Sequence, residues 1–241
     1  MKQYEAVIEV MKKNGGYSTL GNLYKEVFSI ENVSWGTKTP FASIRRIVQD
    51  ERFFFKIKPG LWALKEFKNE VLRKFELSSK KELGEKEFTH SYYQGLLLEL
   101  GNLRKFETFV ASQDKNRFFL EKPLGEVATV NKFYRFTYDH IVEKAKSIDV
   151  TWFNERKLPH SFFEVEHSTD FKNSFLKFVE LQDFNAEFRV VADKQKEKQF
   201  YSIINMSAFK PIANRVKFLS YDILSDLHTK TVELNIIESN L

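Results

Sequence analysis

The chain has no cysteine among its 241 residues, which excludes disulfides and thiolate-bound metals. That composition suits a reducing compartment, and the expected location is the cytoplasm. No apolar run reaches the roughly 18 residues of a membrane helix. The opening "MKQYEAVIEVMKK" also lacks the basic-then-apolar order of a secretory signal, so no membrane partner is expected. With only five histidines, a histidine-rich transition-metal site has no support in the sequence.

Aromatics make up 15% of the chain, and 25 of them are phenylalanines. Hydrophobic content of 42% and charged content of 29% are ordinary for a globular protein of one large domain or two modest ones. The net charge of +5 is unevenly spread: residues 1–75 carry 14 Lys/Arg against 8 Asp/Glu. A basic N-terminal third suits a polyanionic partner, although a well-solvated basic surface would look the same.

The N-terminal third reads as three short helices and a hairpin. "QYEAVIEVMKKNGG" sets Ala6, Ile8, Val10 and Met11 among polar residues and stops at Gly15-Gly16. "STLGNLYKEVF" starts with Ser18 or Thr19 as cap, with a stripe of Leu20, Leu23 and Val27. "KTPFASIRRIVQD" has Thr39 as cap, Pro40 at the first helical position, and Phe41, Ile44 and Val48 on one face. Then the period changes. "RFFFKIKPGLWALKEF" is two β-rich runs around Pro59-Gly60.

That order is the order of a winged helix-turn-helix, expected over residues 1–67. In such a fold the third helix enters the major groove and the hairpin tip meets the backbone. Lys38, Ser43, Arg45 and Arg46 would then face DNA, with Lys56 and Lys58 at the wing. A protein-binding winged helix with solvated basics is the competing reading. The run "TPFASIRRIVQDERFFFKIKPGLWAL" resembles the HARE-type winged helix, a module of chromatin-linked proteins and of some bacterial restriction endonucleases. Residues 68–87 are charge-rich, with Val71, Leu72 and Phe75 as apolar anchors, and are expected to be a partly helical linker.

From residue 88 to 241 a second domain is expected. Its helix over about 90–103 precedes a strand in "ETFVASQ", a β-like "KFYRFTY" and a helical "DHIVEKAKS". Strands "IDVTWF" and "SFFEVE" follow, and then a helix "DFKNSFLKFVELQDF" capped by Ser168 or Thr169. "EFRVVA" and "RVKFLSY" are later strands. The core order is α-β-β-β-α-β.

Three acids fall inside these apolar strands. Alternation puts Phe162, Glu164 and Glu166 on one face and Phe163 and Val165 on the other. Two carboxylates on one face of a buried strand need a cation or a proton. "NERKLPH" is short enough for an antiparallel hairpin, which brings Asp149 to the same place. For Asp149 to share that face, paired residue numbers must sum to 313 or 315. Three convergent carboxylates suit a hard divalent cation such as Mg²⁺.

Other residues are weaker candidates. Glu99 falls inside the stripe of Tyr92, Leu96 and Leu103, where a metal-bound water, a second cation or a buried Lys or Arg would serve as partner. Gln182 lies on the stripe of Phe171, Phe175 and Phe178, where satisfying a backbone group is the simpler role. His167 points away from the Glu166 face, and His90 and His160 are expected at the surface. "ASQDKN" puts Asp114 and Lys115 at a strand end, in reach of a phosphate.

An α-β-β-β-α-β core with Asp, then Glu-X-Lys on the next strand, resembles the PD-(D/E)XK nucleases. Here the motif is "IDV…FEVE", with Glu166 where lysine is common and Ile148 where proline often stands. The resemblance covers roughly residues 88–222 and implies a restriction-endonuclease-like α/β fold with a mixed central sheet. It also implies an endonuclease on double-stranded DNA, of the sequence-specific type II restriction kind. By resemblance, Asp149, Glu164 and the Val165 carbonyl would bind Mg²⁺. Glu166 would orient or deprotonate the attacking water. Lys172 and Lys177 are the nearest sources of the missing positive charge, but neither faces the apolar stripe of its helix.

A homodimer and a monomer both stay open, and a cognate DNA methyltransferase is the expected functional partner. The alternative function is a DNA-binding regulator whose nuclease-like domain is inert. A glycosidase fits poorly, because its two carboxylates usually come from separate elements about 5–9.5 Å apart.

Overall fold

The structure is a computed structural model that describes residues 1–36, 38–75, 77, 82–167 and 170–239. The chain forms two compact units, Met1–Glu85 with Ser225–Leu241, and Lys86–Leu224.

The first unit begins with α1 (Gln3–Lys13), β1 (Tyr17–Thr19), α2 (Leu20–Glu26) and α3 (Pro40–Ile47). β2 (Phe54–Lys58), β3 (Leu61–Leu64) and α4 (Lys68–Lys74) follow. α1 buries Ala6, Val7, Val10 and Met11, so Val7 takes the inward place expected of Ile8. Spacings of three and four residues select that pair of turns. α1 ends where Gly15 and Gly16 adopt φ of 74° and 92°, a backbone that side chains disfavour. Thr19 caps α2 by accepting from the Asn22 N–H at 3.1 Å. Pro40 opens α3, with Thr39 before it but giving no side-chain cap. β2 and β3 pair antiparallel around Pro59-Gly60, and β1 adds to the other side of β3.

The expected linker is partly packed. Val71 is buried, and Phe75 meets the Tyr17 ring edge-on at 4.8 Å. The end of the chain returns to this unit. A Cβ on Gly21 would lie 3.0 Å from His228 and from Val232, and Arg45 pairs with Glu233 at 3.1 Å.

The second unit is a mixed sheet with helices. Most of α5 (Glu82–Leu103) precedes β4 (Glu107–Val110), the ribbon β5 (Phe118–Phe119) and β6 (Lys122–Pro123), then α6 (Leu124–Val127) and α7 (Asp139–Lys146). β7 (Val150–Phe153), β8 (Pro159–Glu166), α8 (Lys172–Val179) and β9 (Glu187–Ala192) come next. α9 (Glu197–Ile204), β10 (Val216–Ser220) and the start of α10 (Tyr221–Glu238) complete it. The five strands run β10-β9-β8-β7-β4. β8, β9 and β10 are parallel, while β7 is antiparallel to both β8 and β4. Taking α5, β4, β7, β8, α8 and β9 in order gives α-β-β-β-α-β, with β5, β6, α6 and α7 inserted after β4.

Phenylalanine builds the core of this unit. Phe153, Phe162, Phe171, Phe175, Phe178, Phe188 and Phe200 are all fully buried in one cluster. "KFYRFTY" is not a strand. Its alternation has another cause: Phe133 meets Phe109 and Phe153 edge-on at 4.9 and 5.0 Å, filling the core from a loop. On the other side α5 lies close to the sheet. The Trp152 indole N–H donates to the Leu97 carbonyl at 3.0 Å, and a Cβ on Gly101 would come 2.4 Å from Thr108. Only glycine permits that approach. The expected α8 caps, Ser168 and Thr169, lie outside the described residues.

Candidate active site

The register of β7 on β8 decides where the acids meet. Val150 pairs with Phe163, Thr151 with Phe162 and Trp152 with Ser161, each pair summing to 313. Continuing the ladder by one residue sets Asp149 opposite Glu164. The one irregularity, between Trp152 and Phe153, is at the far end. The hairpin therefore brings the two carboxylates to one face at the C-terminal end of β8. The Asp149 N–H donates to Glu164 Oε1 at 3.3 Å, and the Val165 N–H donates to Asp149 Oδ2 at 2.7 Å.

Both acids are withdrawn from water: Glu164 is 4% exposed and Asp149 is 6%. Burial raises the Glu164 carboxyl to about 8, and the charge of Asp149 pushes the same way. Lys177 opposes that rise. Its Nζ donates to Glu164 Oε1 and Oε2 at 2.8 and 2.9 Å and to the Ser147 carbonyl at 2.9 Å. Ser174, one turn earlier on α8, donates to Glu164 Oε2 at 3.3 Å and makes a short bond to Glu166 Oε1. Lys177, expected off the apolar stripe of its helix and named as one source of the missing positive charge, reaches the acids by the length of its side chain. Lys172 is exposed.

The turn after β4 supplies another acid. The Ala111 N–H donates to the Asp149 carbonyl at 3.1 Å, and the Asp114 N–H donates to that of Ala111 at 2.9 Å. Asp114 is buried beside Asp149, accepting from Gln94 Nε2 at 2.9 Å and pairing with Arg117 at 2.9 Å. Lys115 instead donates to the Asn131 carbonyl at 2.8 Å.

α5 contributes His90, which corrects its expected surface position. Its Nε2 is 3.6 Å from Asp149 Oδ1 and 4.0 Å from Asp114 Oδ2. Burial disfavours the charged ring, but the two carboxylates outweigh it and raise the imidazole above its ordinary value. Glu99 is nine residues further along the same helix, about 13 Å down the axis and on the opposite side. The residues that α5 turns toward the acids are therefore His90 and Gln94. Their spacing of four was visible in the sequence, but neither type stands out without Asp114 and Asp149 in place.

The end of β8 is held from α10 and from the segment after β9. The Tyr221 hydroxyl donates to the Glu166 carbonyl at 3.1 Å and bonds His167 Nδ1 at 2.9 Å. Lys196 donates to the His167 carbonyl. Burial lowers the Lys196 ammonium, against the nearby charges of Asp193 and Glu166. His160 is half-buried, bonding Ser161 Oγ at 2.8 Å and resting on the Phe106 ring at 4.4 Å. The Gln182 carbonyl accepts from Arg215, a role for its backbone and not for its side chain.

The basic residues of the first unit divide into two groups. Lys38, Arg46 and Lys56 are exposed. Arg45 is not presented outward as expected. Its Nε donates to the Tyr24 hydroxyl at 3.0 Å, and its Nη2 bonds Glu233 at 3.1 Å. Lys58 pairs with Glu85 at 2.9 Å and is only 17% exposed at its side chain. Ser43 is half-buried, with its hydroxyl donating weakly to the Thr39 carbonyl at 3.4 Å. Among the described residues no helix is long and apolar enough to cross a membrane.

No solved structure matches the chain. The type II restriction enzyme NmeDI of Neisseria meningitidis serogroup C is 24% identical over 150 residues, covering 58% of this chain and 42% of that protein. The chain thus spans under half the length of this curated relative. The model of the type II restriction enzyme NmeDI C-terminal domain family matches residues 71–240 and takes in every acid described above, so the chain belongs to that family.

Proposed function

We propose that the protein is a divalent-metal-dependent endonuclease that hydrolyses phosphodiester bonds of double-stranded DNA, acting at a specific sequence as a type II restriction enzyme. The observation that carries this reading is the juxtaposition of Asp149 and Glu164. Two buried carboxylates face one another, with Lys177 bonded to Glu164 and the His90 ring 3.6 Å from Asp149. Such a pair is stable only with a proton or a further cation. Burial and the Asp149 charge both raise the Glu164 carboxyl, and a donor set of carboxylate oxygens and a backbone carbonyl suits a hard divalent ion.

Asp149, Glu164 and the Val165 carbonyl would hold Mg²⁺. When bound, the cation supplies positive charge at the scissile phosphate and makes a nearby water easier to deprotonate. The chain's own groups do the rest. Glu166 accepts the proton of the attacking water, and Ser174 fixes its carboxylate by a hydrogen bond. Lys177 hydrogen-bonds Glu164 in the metal-free protein and supplies the positive charge that the motif position, occupied by Glu166, does not. The α-β-β-β-α-β order with Asp149 and Glu164 on adjacent strands supports a PD-(D/E)XK-type core. In the first unit, the order of three helices and a hairpin supports a winged helix of the HARE type. Its DNA-facing residues are Lys38, Arg46 and Lys56.

The direct test is incubation of the protein with phage DNA and Mg²⁺, with Asp149→Asn as control. Discrete bands that disappear with the variant are the expected result. The second reading is a DNA-binding regulator with an inert second unit, and one observation favours it: Lys177 already fills the cation's place at Glu164. Undegraded DNA, bound with equal affinity with and without Mg²⁺, would support that reading.

A further inference from the structure

The α5 side of the acid cluster brings a second set of ligand-type atoms together. His90 Nε2 is 3.6 Å from Asp149 Oδ1 and 4.0 Å from Asp114 Oδ2. A protonated imidazole bridging two carboxylates would make bonds of about 2.7–2.9 Å, so neither contact is a formed hydrogen bond. One ligand atom from each of the three residues lies within 4.8 Å of the other two. Atoms so spaced leave a point roughly 2.2–2.8 Å from all three. Small side-chain rotations bring that within the ~2.0–2.2 Å of metal bonds to nitrogen and carboxylate oxygen.

A second observation concerns Gln94. Its side chain is fully buried, its Nε2 donates to Asp114 Oδ2 at 2.9 Å, and its Oε1 has no hydrogen-bond partner among the described residues. A buried amide oxygen without a partner is destabilising unless something occupies it. The amide is anchored on Asp114 Oδ2, one of the three ligand atoms, which keeps its unpartnered oxygen next to the group. Arg117 engages the other oxygen of Asp114, Oδ1, and orients Oδ2 toward His90 and Gln94.

We propose that His90, Asp114 and Asp149 form a second divalent-cation site, beside the Asp149–Glu164 pair, with Gln94 as an outer oxygen ligand. The donor set of one imidazole nitrogen with carboxylate oxygens selects a first-row transition ion such as Mn²⁺ over Mg²⁺, which keeps to oxygen. The site rests on the reading above only through Asp149, which the two positions share.

The test is binding of Mn²⁺ to the whole metal-free chain, read by electron paramagnetic resonance. Free Mn²⁺ is counted to give stoichiometry, and the bound ion is examined for nitrogen hyperfine coupling. The wild-type chain is expected to bind two ions, one of them nitrogen-coupled. His90→Ala should bind one ion without the coupling. Asp114→Asn, which keeps shape, should weaken the coupled ion at least tenfold, and it carries the test where His90→Ala fails to fold. Glu164→Gln should weaken the other ion and keep the coupling. Absence of nitrogen coupling in the wild type, or its persistence in His90→Ala, overturns the site. If the coupled ion is the only one bound and Glu164→Gln does not affect it, the His90 site stands and the Mg²⁺ position at Asp149–Glu164 fails.

Discussion

Lys177 holds both carboxylate oxygens of Glu164, at 2.8 and 2.9 Å, in the position a divalent cation would need. If Glu164 binds the proposed metal, lysine and cation compete for one acid. Lys177→Met removes the ammonium and keeps the apolar stem that lies along α8. Breaking a fully buried pair costs ~3–5 kcal/mol. The Lys177 side chain is 27% exposed, so the expected loss is smaller, about 2 kcal/mol in metal-free protein. Mg²⁺ should recover more stability in the variant than in the wild type. Urea denaturation with and without Mg²⁺ measures this, and equal Mg²⁺ effects in both proteins would refute the competition.

The pH dependence of metal-free stability has a definite sign. The Glu164 carboxyl titrates at about 8 in the folded chain against 4.5 ordinarily. A group raised in this way contributes stability that is complete below about 4.5 and is lost as the pH rises through about 8. His90 is raised above 6.5 and acts in the same direction. Asp50 behaves oppositely, but its lowering to about 2 matters only below 3.8. The melting temperature should therefore fall between about pH 5 and about pH 9. Glu164→Gln or added Mg²⁺ should flatten the curve. Calorimetry across the range decides, and a wild-type slope unchanged by Glu164→Gln would show that the acid pair does not set it.

Some contacts of the site are written in the local sequence and others are not. Strand alternation placed Glu164 and Glu166 on one face, and the short "NERKLPH" connection placed Asp149 beside them, because a period of two and a hairpin leave few registers. α8 shows the limit. Lys177 lies off the aromatic stripe, so its inward reach depends on the length of its side chain and on where β8 ends. His90 and Asp114 are 24 positions apart and meet only because the turn after β4 bonds to the Asp149 carbonyl. No local pattern encodes that contact. The same holds for Arg45, whose partner Glu233 is 188 residues away.

That pairing of Arg45 separates two roles in α3. Arg46 is exposed, whereas Arg45 is tied to Tyr24 and Glu233. Arg46→Ala should weaken DNA binding and reduce the dependence on salt by roughly one phosphate contact. Arg45→Ala should mainly lower the stability of the first unit, by about 1 kcal/mol, because it leaves the Tyr24 hydroxyl without its donor. Salt titrations of DNA affinity, run beside thermal melts, distinguish the two. A salt slope unaltered by Arg46→Ala would assign the first unit to a protein partner.

Glu166 stands where the resembled motif has lysine, and its replacement gives the sharpest test of the chemistry. A carboxylate can take a proton from water but cannot bring positive charge to a phosphate. Glu166→Gln keeps the size and the bond to Ser174 while removing the base. Cleavage should fall by about 10²–10⁴, the usual contribution of a general base. DNA affinity in Ca²⁺ should hold or rise, since one fewer negative group faces the phosphates. Glu164→Gln should differ by raising the Mg²⁺ concentration needed for any residual cutting, because Glu164 is proposed as a metal ligand and Glu166 is not. Single-turnover cleavage across a Mg²⁺ series separates these effects. Wild-type rates for Glu166→Gln would transfer the base to another group near the β8 end, and Lys196, with its lowered ammonium beside Glu166, is the next residue to replace.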